Sequence, residues 1–283
     1  MSHTAEIIAV GTELLLGNIV NTNARDISQA LSAVGVNVFW HTVVGDNPQR
    51  LKEALTIARF RADILITTGG LGPTYDDLTK QTICEAFQKP LVLHEEIVEQ
   101  LRVYFEKNVH MTMPENNIQQ ARLPEGCTVF DNPVGTAPGC AFESGGVHVL
   151  MLPGPPFEML TMLRRCAVPY LRRLSSEVIL SHDIMTFGLG ESPMEQLLRG
   201  KMAGMENPTL ATYAKPSEVR LRATAKAPTQ AAAEALLSPV VAEISAFLGD
   251  VVYGVDVGSL EEVCFRLLKE REWTCLLYTS RCV

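Results

Sequence analysis

Asp77 has the setting that most invites chemistry. It sits near the end of the run LITTGGLGPTYDDLT, residues 65–79, where an apolar stretch breaks into glycines and then into two adjacent carboxylates. Gly69, Gly70 and Gly72 free the backbone for positive φ angles and for close approach of a ligand. A strand, a glycine turn and a helix start put several N–H groups beside one crevice, an arrangement suited to phosphate. Asp76 and Asp77 would repel phosphate oxygens unless a hard cation such as Mg²⁺ lay between them. The alternative role for either aspartate is N-cap of the helix running to Phe87.

Other loops repeat this pattern. Gly11, Thr12 and Glu13 follow the first apolar run, with Gly17, Asn21 and Asn23 close behind. Asn21 or Thr22 can cap the next helix, whereas an acid such as Glu13 near a buried strand end needs a partner or a task. Asp46 in VVGDN serves equally as a turn residue or as a catalytic group. Asn132-Pro133-Val134-Gly135 and Pro153-Gly154-Pro155-Pro156-Phe157-Glu158-Met159 also follow strand-like runs, as rigid turns or as pocket walls.

Positioning these loops requires a sheet. Short β-branched runs at residues 5–10, 36–44, 62–68 and 147–152 alternate with helix-period stretches over the first 170 residues, which predicts a mainly parallel sheet covered by helices. Ile27, Ala30, Leu31 and Val34 fall at i, i+3, i+4 and i+7, as do Leu51, Ala54, Leu55 and Ala58. Pro48 after Asn47 suits a helix start, and Gly35 a helix stop. Residues 94–108 read as another helix, and MTMPENNIQQAR as a polar surface crossing. Strands at 128–130 and 139–142 then precede a helix at 160–174, with a kink or stop at Pro169. From about Ser175 the order becomes strand, helix, strand, strand, helix, strand, a small α+β domain.

Composition narrows the class. With 283 residues, 47% hydrophobic and 20% charged, two soluble domains are expected, and a net charge of -8 argues against nonspecific attraction to nucleic acid or anionic membrane. Seven cysteines without a CxxC pair fit a reducing cytoplasm. The start MSHTAEIIAVGTELL has no basic stretch before an apolar one, and no run of about 18 consecutive apolar residues occurs. There is no GxSxG elbow, no GxxxxGK[ST] loop and no HExxH, and the six histidines lack ligand spacing.

Taken in order, GTELLLGNIVNTNA, TTGGLGPTYDDLT, NPVGTAPGC and LPGPPFEM resemble the competence/damage-inducible CinA family across roughly residues 4–270. The resemblance implies a three-layer α/β domain of MoaB/MogA type over residues 1–170 and a KH-like α+β domain over 171–255. Residues 256–274 resemble a linker and the first helix of the amidase domain found in many members, and residues 275–283 resemble translated adapter sequence. The resemblance further implies a divalent-metal-dependent hydrolase that cleaves ADP-ribose to AMP and ribose 5-phosphate, acting as a homodimer on a small-molecule nucleotide. Handling of a pterin phosphate is the alternative, weakened because Leu71 stands where related loops carry Thr. A third is a nonenzymatic role for the KH-like domain, oligomerisation ahead of RNA binding, because residues 171–255 hold 8 Lys/Arg against 9 Asp/Glu and no GXXG clamp.

On this reading Asp77 and Asp46 are catalytic, and Asp76, Asp77 and Glu13 hold Mg²⁺ or a transition ion. Substrate contacts fall to Gly11, Thr12, Asn21, Asn23, Thr68, Gly69, Gly70, Gly72, Thr79, Asn132, Gly135, Pro153, Gly154 and Glu158.

Overall fold

A computed structural model describes residues 3–174, 177–215 and 217–273. The adapter-like tail, 275–283, lies outside the described residues. The chain divides into two units, Met1–Ser176 and Glu177–Val283.

The first unit opens with β1 (Thr4–Val10), a single turn α1 (Thr12–Leu15), α2 (Thr22–Ala33), β2 (Asn37–Val44), α3 (Pro48–Ala58) and β3 (Ile64–Thr68). There follow α4 (Thr79–Ala86), β4 (Leu91–Leu93), α5 (Glu95–Tyr104), β5 (Arg122–Pro124), β6 (Thr128–Phe130), β7 (Gly139–Ser144), β8 (Val147–Leu152), α6 (Pro156–Met162) and α7 (Val168–Arg172). Six strands form one sheet in the order β2-β1-β3-β8-β7-β6, parallel from β2 to β8 and antiparallel from β8 to β6. The sheet is apolar on both faces, as a parallel sheet covered on both sides requires. Ile8, Leu65 and Val149 pack with α3, α4 and α5, while their neighbours Ile7, Ile66 and Leu150 pack with α2, α6 and α7. This is a three-layer α/β fold, a mainly parallel sheet covered by helices on both faces.

Local signals explain the helix ends. Asn47 accepts a hydrogen bond from Arg50 N ahead of Pro48, and Gly35 takes φ +79 after Val34. Upstream of Pro169 the helical run widens into a π-turn at Leu163–Ala167 before resuming as α7, so the proline meets a shifted hydrogen-bond ladder rather than ending the helix. The polar stretch before β5 is not a plain surface crossing. It forms the 3₁₀ helix Glu115–Ala121, with Asn117, Gln120 and Ala121 buried.

The sheet also holds a buried charge. Glu6, fully buried in β1, accepts from Arg61 Nε and Nη2, each at 2.7 Å, and from Thr42 Oγ1 at 2.5 Å. The guanidinium lies 4.8 Å from the Trp40 ring centre.

The second unit runs β9 (Val178–Phe187), α8 (Glu191–Met202), β10 (Thr209–Lys215), β11 (Glu218–Ala227), α9 (Gln230–Leu248), β12 (Val252–Val255) and α10 (Leu260–Glu270). Its antiparallel sheet has the order β10-β11-β9-β12. On β11, Val219, Leu221, Ala223 and Ala225 alternate inward, facing Met194, Leu198, Ala233, Leu237 and Ile244 of α8 and α9. Residues 230–251 are long and apolar enough to cross a membrane by length and composition, although Glu234 and Glu243 interrupt the apolar run, as expected from the sequence. Ala233, Leu237 and Ile244 pack one face of that helix against the sheet.

Candidate functional site

The parallel topology brings the candidate loops to one edge of the first unit's sheet, the carboxyl ends of β2, β1, β3 and β8, with the β6 end on the same side. Five strand intervals at about 4.8 Å separate Asp46 from Asn132 by roughly 24 Å. One small ligand does not reach both ends, so the row divides into three groups.

At one end Asp46 and Thr12 lock two loops together. Thr12 N donates to Asp46 Oδ2 at 2.8 Å, and Asp46 N donates to Thr12 Oγ1 at 3.1 Å. Asp46 therefore holds backbone. At the other end, Asn132 Nδ2 donates to Ala137 O at 2.9 Å and Glu158 Oε2 at 2.6 Å, while its Oδ1 accepts from Val134 N. A Cβ on Gly135 would lie 2.1 Å from Glu158 Oε2, so the glycine leaves room for that carboxylate. Asn132 and Gly135 border a separate cavity of about 230 Å³ against Gln100 and Tyr104 of α5.

Between these ends lies the group the fold does bring together. Gly69 takes φ +106, where an added Cβ would sit 2.1 Å from Val10 O, and Gly154 approaches Gly69 closely from the next loop. Thr68 Oγ1 donates to Pro153 O at 2.8 Å and accepts from Asn23 Nδ2 at 2.9 Å. Asn23 also donates to Gly154 O at 2.8 Å. Asn21 takes the plain capping role, accepting from Ala24 N. The Glu13 carboxylate folds back over Gly11, where a Cβ would come within 2.5 Å of it.

The glycine loop itself differs from the expected cap. The N-cap of α4 is Leu78, without a side-chain hydrogen bond, so neither Asp76 nor Asp77 caps the helix. A turn over Thr74–Asp77 intervenes, and both carboxylates converge on Thr74: Asp77 Oδ2 accepts from its N at 2.9 Å, and its Oγ1 lies 2.5 Å from Asp76 Oδ1 and from Asp77 Oδ2. One hydroxyl hydrogen serves two carboxylate oxygens. The Thr74 hydrogen bond holds the Asp76 carboxyl below the usual range. Leu71 is buried with Val10, Val44 and Ile83, which explains a leucine there: it anchors the loop in the core.

Gly70, at φ +67, lies against Thr79, and a Cβ there would be 2.1 Å from Thr79 Oγ1. That hydroxyl is buried at the start of α4 and has no hydrogen-bond partner. Asn23 Oδ1 is the other buried atom of this group left unpaired. Among the described residues no three His, Cys, Asp or Glu side chains are grouped to hold a metal, so Glu13 does not join Asp76 and Asp77 in a ready-made site.

Two features escaped the sequence reading. The 3₁₀ helix Glu115–Ala121 clasps the glycine loop, with Asn116 Nδ2 donating to Pro73 O at 3.1 Å and Gln119 Nε2 lying 3.4 Å from Thr74 O. Lys80 ties that clasp to α4, donating to Gln119 O and Gln120 O at 3.0 Å each. Neither shows in a hydrophobic period. The only sequence signal is a lysine in the first turn of a helix, where a cation is poorly placed for the helix dipole.

Burial brings the Lys80 amine down from 10.5 to about 8. Below about pH 8 the amine is protonated whether folded or unfolded, and the full penalty applies. As pH rises from there toward 10.5, the folded amine loses its proton before the unfolded one, so stability rises with pH. Between about pH 7.5 and pH 9.5 this group should add about 2 kcal/mol of unfolding free energy in urea titrations, and Lys80→Met should lack that rise. Equal slopes in both proteins would contradict the assignment.

Comparison with known proteins agrees with this architecture. Residues 6–173 match a family model described as "Probable molybdopterin binding domain", and residues 181–254 match the "Damage-inducible protein CinA KH domain". The chain belongs to the CinA family. A CinA-like protein of Dictyoglomus turgidum is 49% identical over 269 residues, covering 95% of this chain and 65% of the relative. One from Dictyoglomus thermophilum is 48% identical over 275 residues, covering 97% and 67%. The chain thus spans about two thirds of the length of these curated CinA relatives. A crystal structure of CinA from Thermoplasma acidophilum, 34% identical, superposes with a TM-score of 0.53 over 58% of this chain and 95% of that one.

Proposed function

We propose that the first unit hydrolyses the diphosphate of a nucleotide sugar, with ADP-ribose as substrate and AMP and ribose 5-phosphate as products. The observation that carries this reading is the Thr79 hydroxyl, buried without a partner beside Gly70 at the start of α4. An unpaired buried donor at a helix N-terminus, facing a glycine turn, suits a phosphate oxygen. Leaving it unpaired costs about 1–3 kcal/mol, which a bound phosphate would recover.

Asp76 and Asp77 would hold the divalent ion. Two carboxylates converging on one hydroxyl fit a Mg²⁺-like ion, which takes one or two protein carboxylates and completes its shell with water and phosphate oxygens. The ion, when bound, offsets charge building on the diphosphate. Thr79 and the first N–H groups of α4 orient one phosphate, while Leu71 and the 115–121 clasp fix the loop against the core. Asp46 acts at a distance, through Thr12 and the β1 loop. Water adds across the P–O–P linkage, one phosphate keeping the bridging oxygen and the other gaining the hydroxyl. This reading places the protein in the cytoplasm with a small soluble substrate.

The test is chromatography of ADP-ribose incubated with the purified protein and Mg²⁺, Mn²⁺ or Co²⁺. AMP and ribose 5-phosphate should appear in equal amounts; no AMP with any of the three ions would contradict the hydrolase. A second reading, binding of a pterin phosphate, draws on the family model for residues 6–173 and would use the same Gly70–Thr79 corner. It would be favoured by calorimetric binding of a pterin phosphate without turnover of ADP-ribose.

A further inference from the structure

Asn23 lies in the first turn of α2 and is only 8% exposed. The orientation of its amide is fixed by its partners. Gly154 O can only accept, so the atom 2.8 Å away is the amide nitrogen. Thr68 directs its single hydroxyl hydrogen to Pro153 O and therefore accepts from the same nitrogen. Both N–H bonds of the amide are used, and the network is complete except for Asn23 Oδ1, which is buried without a partner.

An unpaired acceptor calls for a donor. Asn23 lines a small cavity of about 50 Å³ with Glu13, Val20, Thr68, Gly154 and Pro156. The one charged group there is the Glu13 carboxylate, another acceptor, and no Lys, Arg or His lines the cavity. The Glu13 carboxylate disfavours a phosphate oxygen and, with the unpaired Asn23 Oδ1, favours a neutral group bearing O–H, which the Thr22 hydroxyl at the same wall can also meet. In a ribonucleotide that group is a ribose hydroxyl, and a carboxylate near a ribose diol is a recurrent solution.

We infer that Asn23 Oδ1, assisted by Glu13, receives a ribose hydroxyl of the substrate, making Asn23 the residue that distinguishes a ribose from a deoxyribose. This rests on the proposed nucleotide-sugar reading and divides the crevice in two: phosphate belongs to the Gly70–Thr79 corner and sugar to the Asn23 pocket. Among the substrate contacts expected from the sequence, it gives Asn23 to the sugar. A site built to pair a hydroxyl rejects the analogue lacking it, because its own polar atom is then left unmet.

The experiment is isothermal titration of wild type and Asn23→Leu with AMP, 2′-deoxy-AMP, 3′-deoxy-AMP, ribose 5-phosphate and 2-deoxyribose 5-phosphate. In the wild type, at least one deoxy ligand should bind about 10- to 100-fold more weakly than its parent. In Asn23→Leu, parent and deoxy ligands should bind within about threefold of each other. Deoxy ligands that match their parents in the wild type would overturn the inference without any variant having to fold. So would discrimination that survives Asn23→Leu, or absence of binding by every ribose phosphate. Failure of the hydrolase reading is separable: discrimination without AMP release from ADP-ribose leaves the Asn23 assignment standing, whereas AMP release without discrimination removes it alone.

Discussion

Replacing Asp77 with asparagine is expected to lower ADP-ribose turnover by about 10³-fold while leaving the fold intact. The substituted amide would still offer an oxygen to Thr74 N, the 2.9 Å bond that shapes the turn. It would not supply the negative charge that a divalent ion needs. Steady-state kinetics should show the loss in kcat, and the thermal midpoint should stay within about 3 °C of wild type. Asp76→Asn should cost less, about 10-fold, because Asp76 is exposed whereas Asp77 is half-buried and would hold the ion more firmly. Equal rates for wild type and Asp77→Asn would remove Asp77 from the reaction.

Removal of Arg61 should give the largest loss of stability. Glu6 is fully buried, and Arg61 supplies two of its three hydrogen bonds. Arg61→Ala leaves a buried carboxylate with the Thr42 hydroxyl alone, and the cost should be about 4 kcal/mol in urea unfolding followed by tryptophan fluorescence. Contact with the Trp40 ring adds to the loss. The double variant Glu6→Leu/Arg61→Leu should recover most of it, since an apolar pair carries no desolvated charge. A single-variant loss under about 1 kcal/mol would mean that water reaches Glu6 after truncation.

The residues that shape this fold were readable where the signal is local. Asn47-Pro48, Gly35 and the alternating apolar runs mark α3, the end of α2 and the strands within a residue or two of their positions. The strand-end loops were readable for the same reason: a parallel sheet places every such turn on one edge. What was hidden depends on pairs distant in the chain. Glu6 and Arg61 are 55 positions apart, and Lys80 meets carbonyls about 40 positions away. The clasp Glu115–Ala121 has no hydrophobic period because polar contacts hold it to the glycine loop.

Asp77 shows how a local signal misleads. Aspartate shortly before a helical stretch reads as a cap, but the turn at Thr74 captures both carboxylates and Leu78 begins the helix. That departure leaves the Thr79 hydroxyl and the α4 terminus without a carboxylate of their own. An aspartate cap would have occupied the place where phosphate is proposed to bind.

The most direct test of that placement is a crystal structure of the Asp77→Asn protein with ADP-ribose and Mg²⁺. The diphosphate should lie over the glycine loop at the start of α4, with Thr79 Oγ1 donating to one of its oxygens and the ion beside residues 76 and 77. A diphosphate found instead in the cavity bordered by Tyr104 and Asn132 would contradict the account.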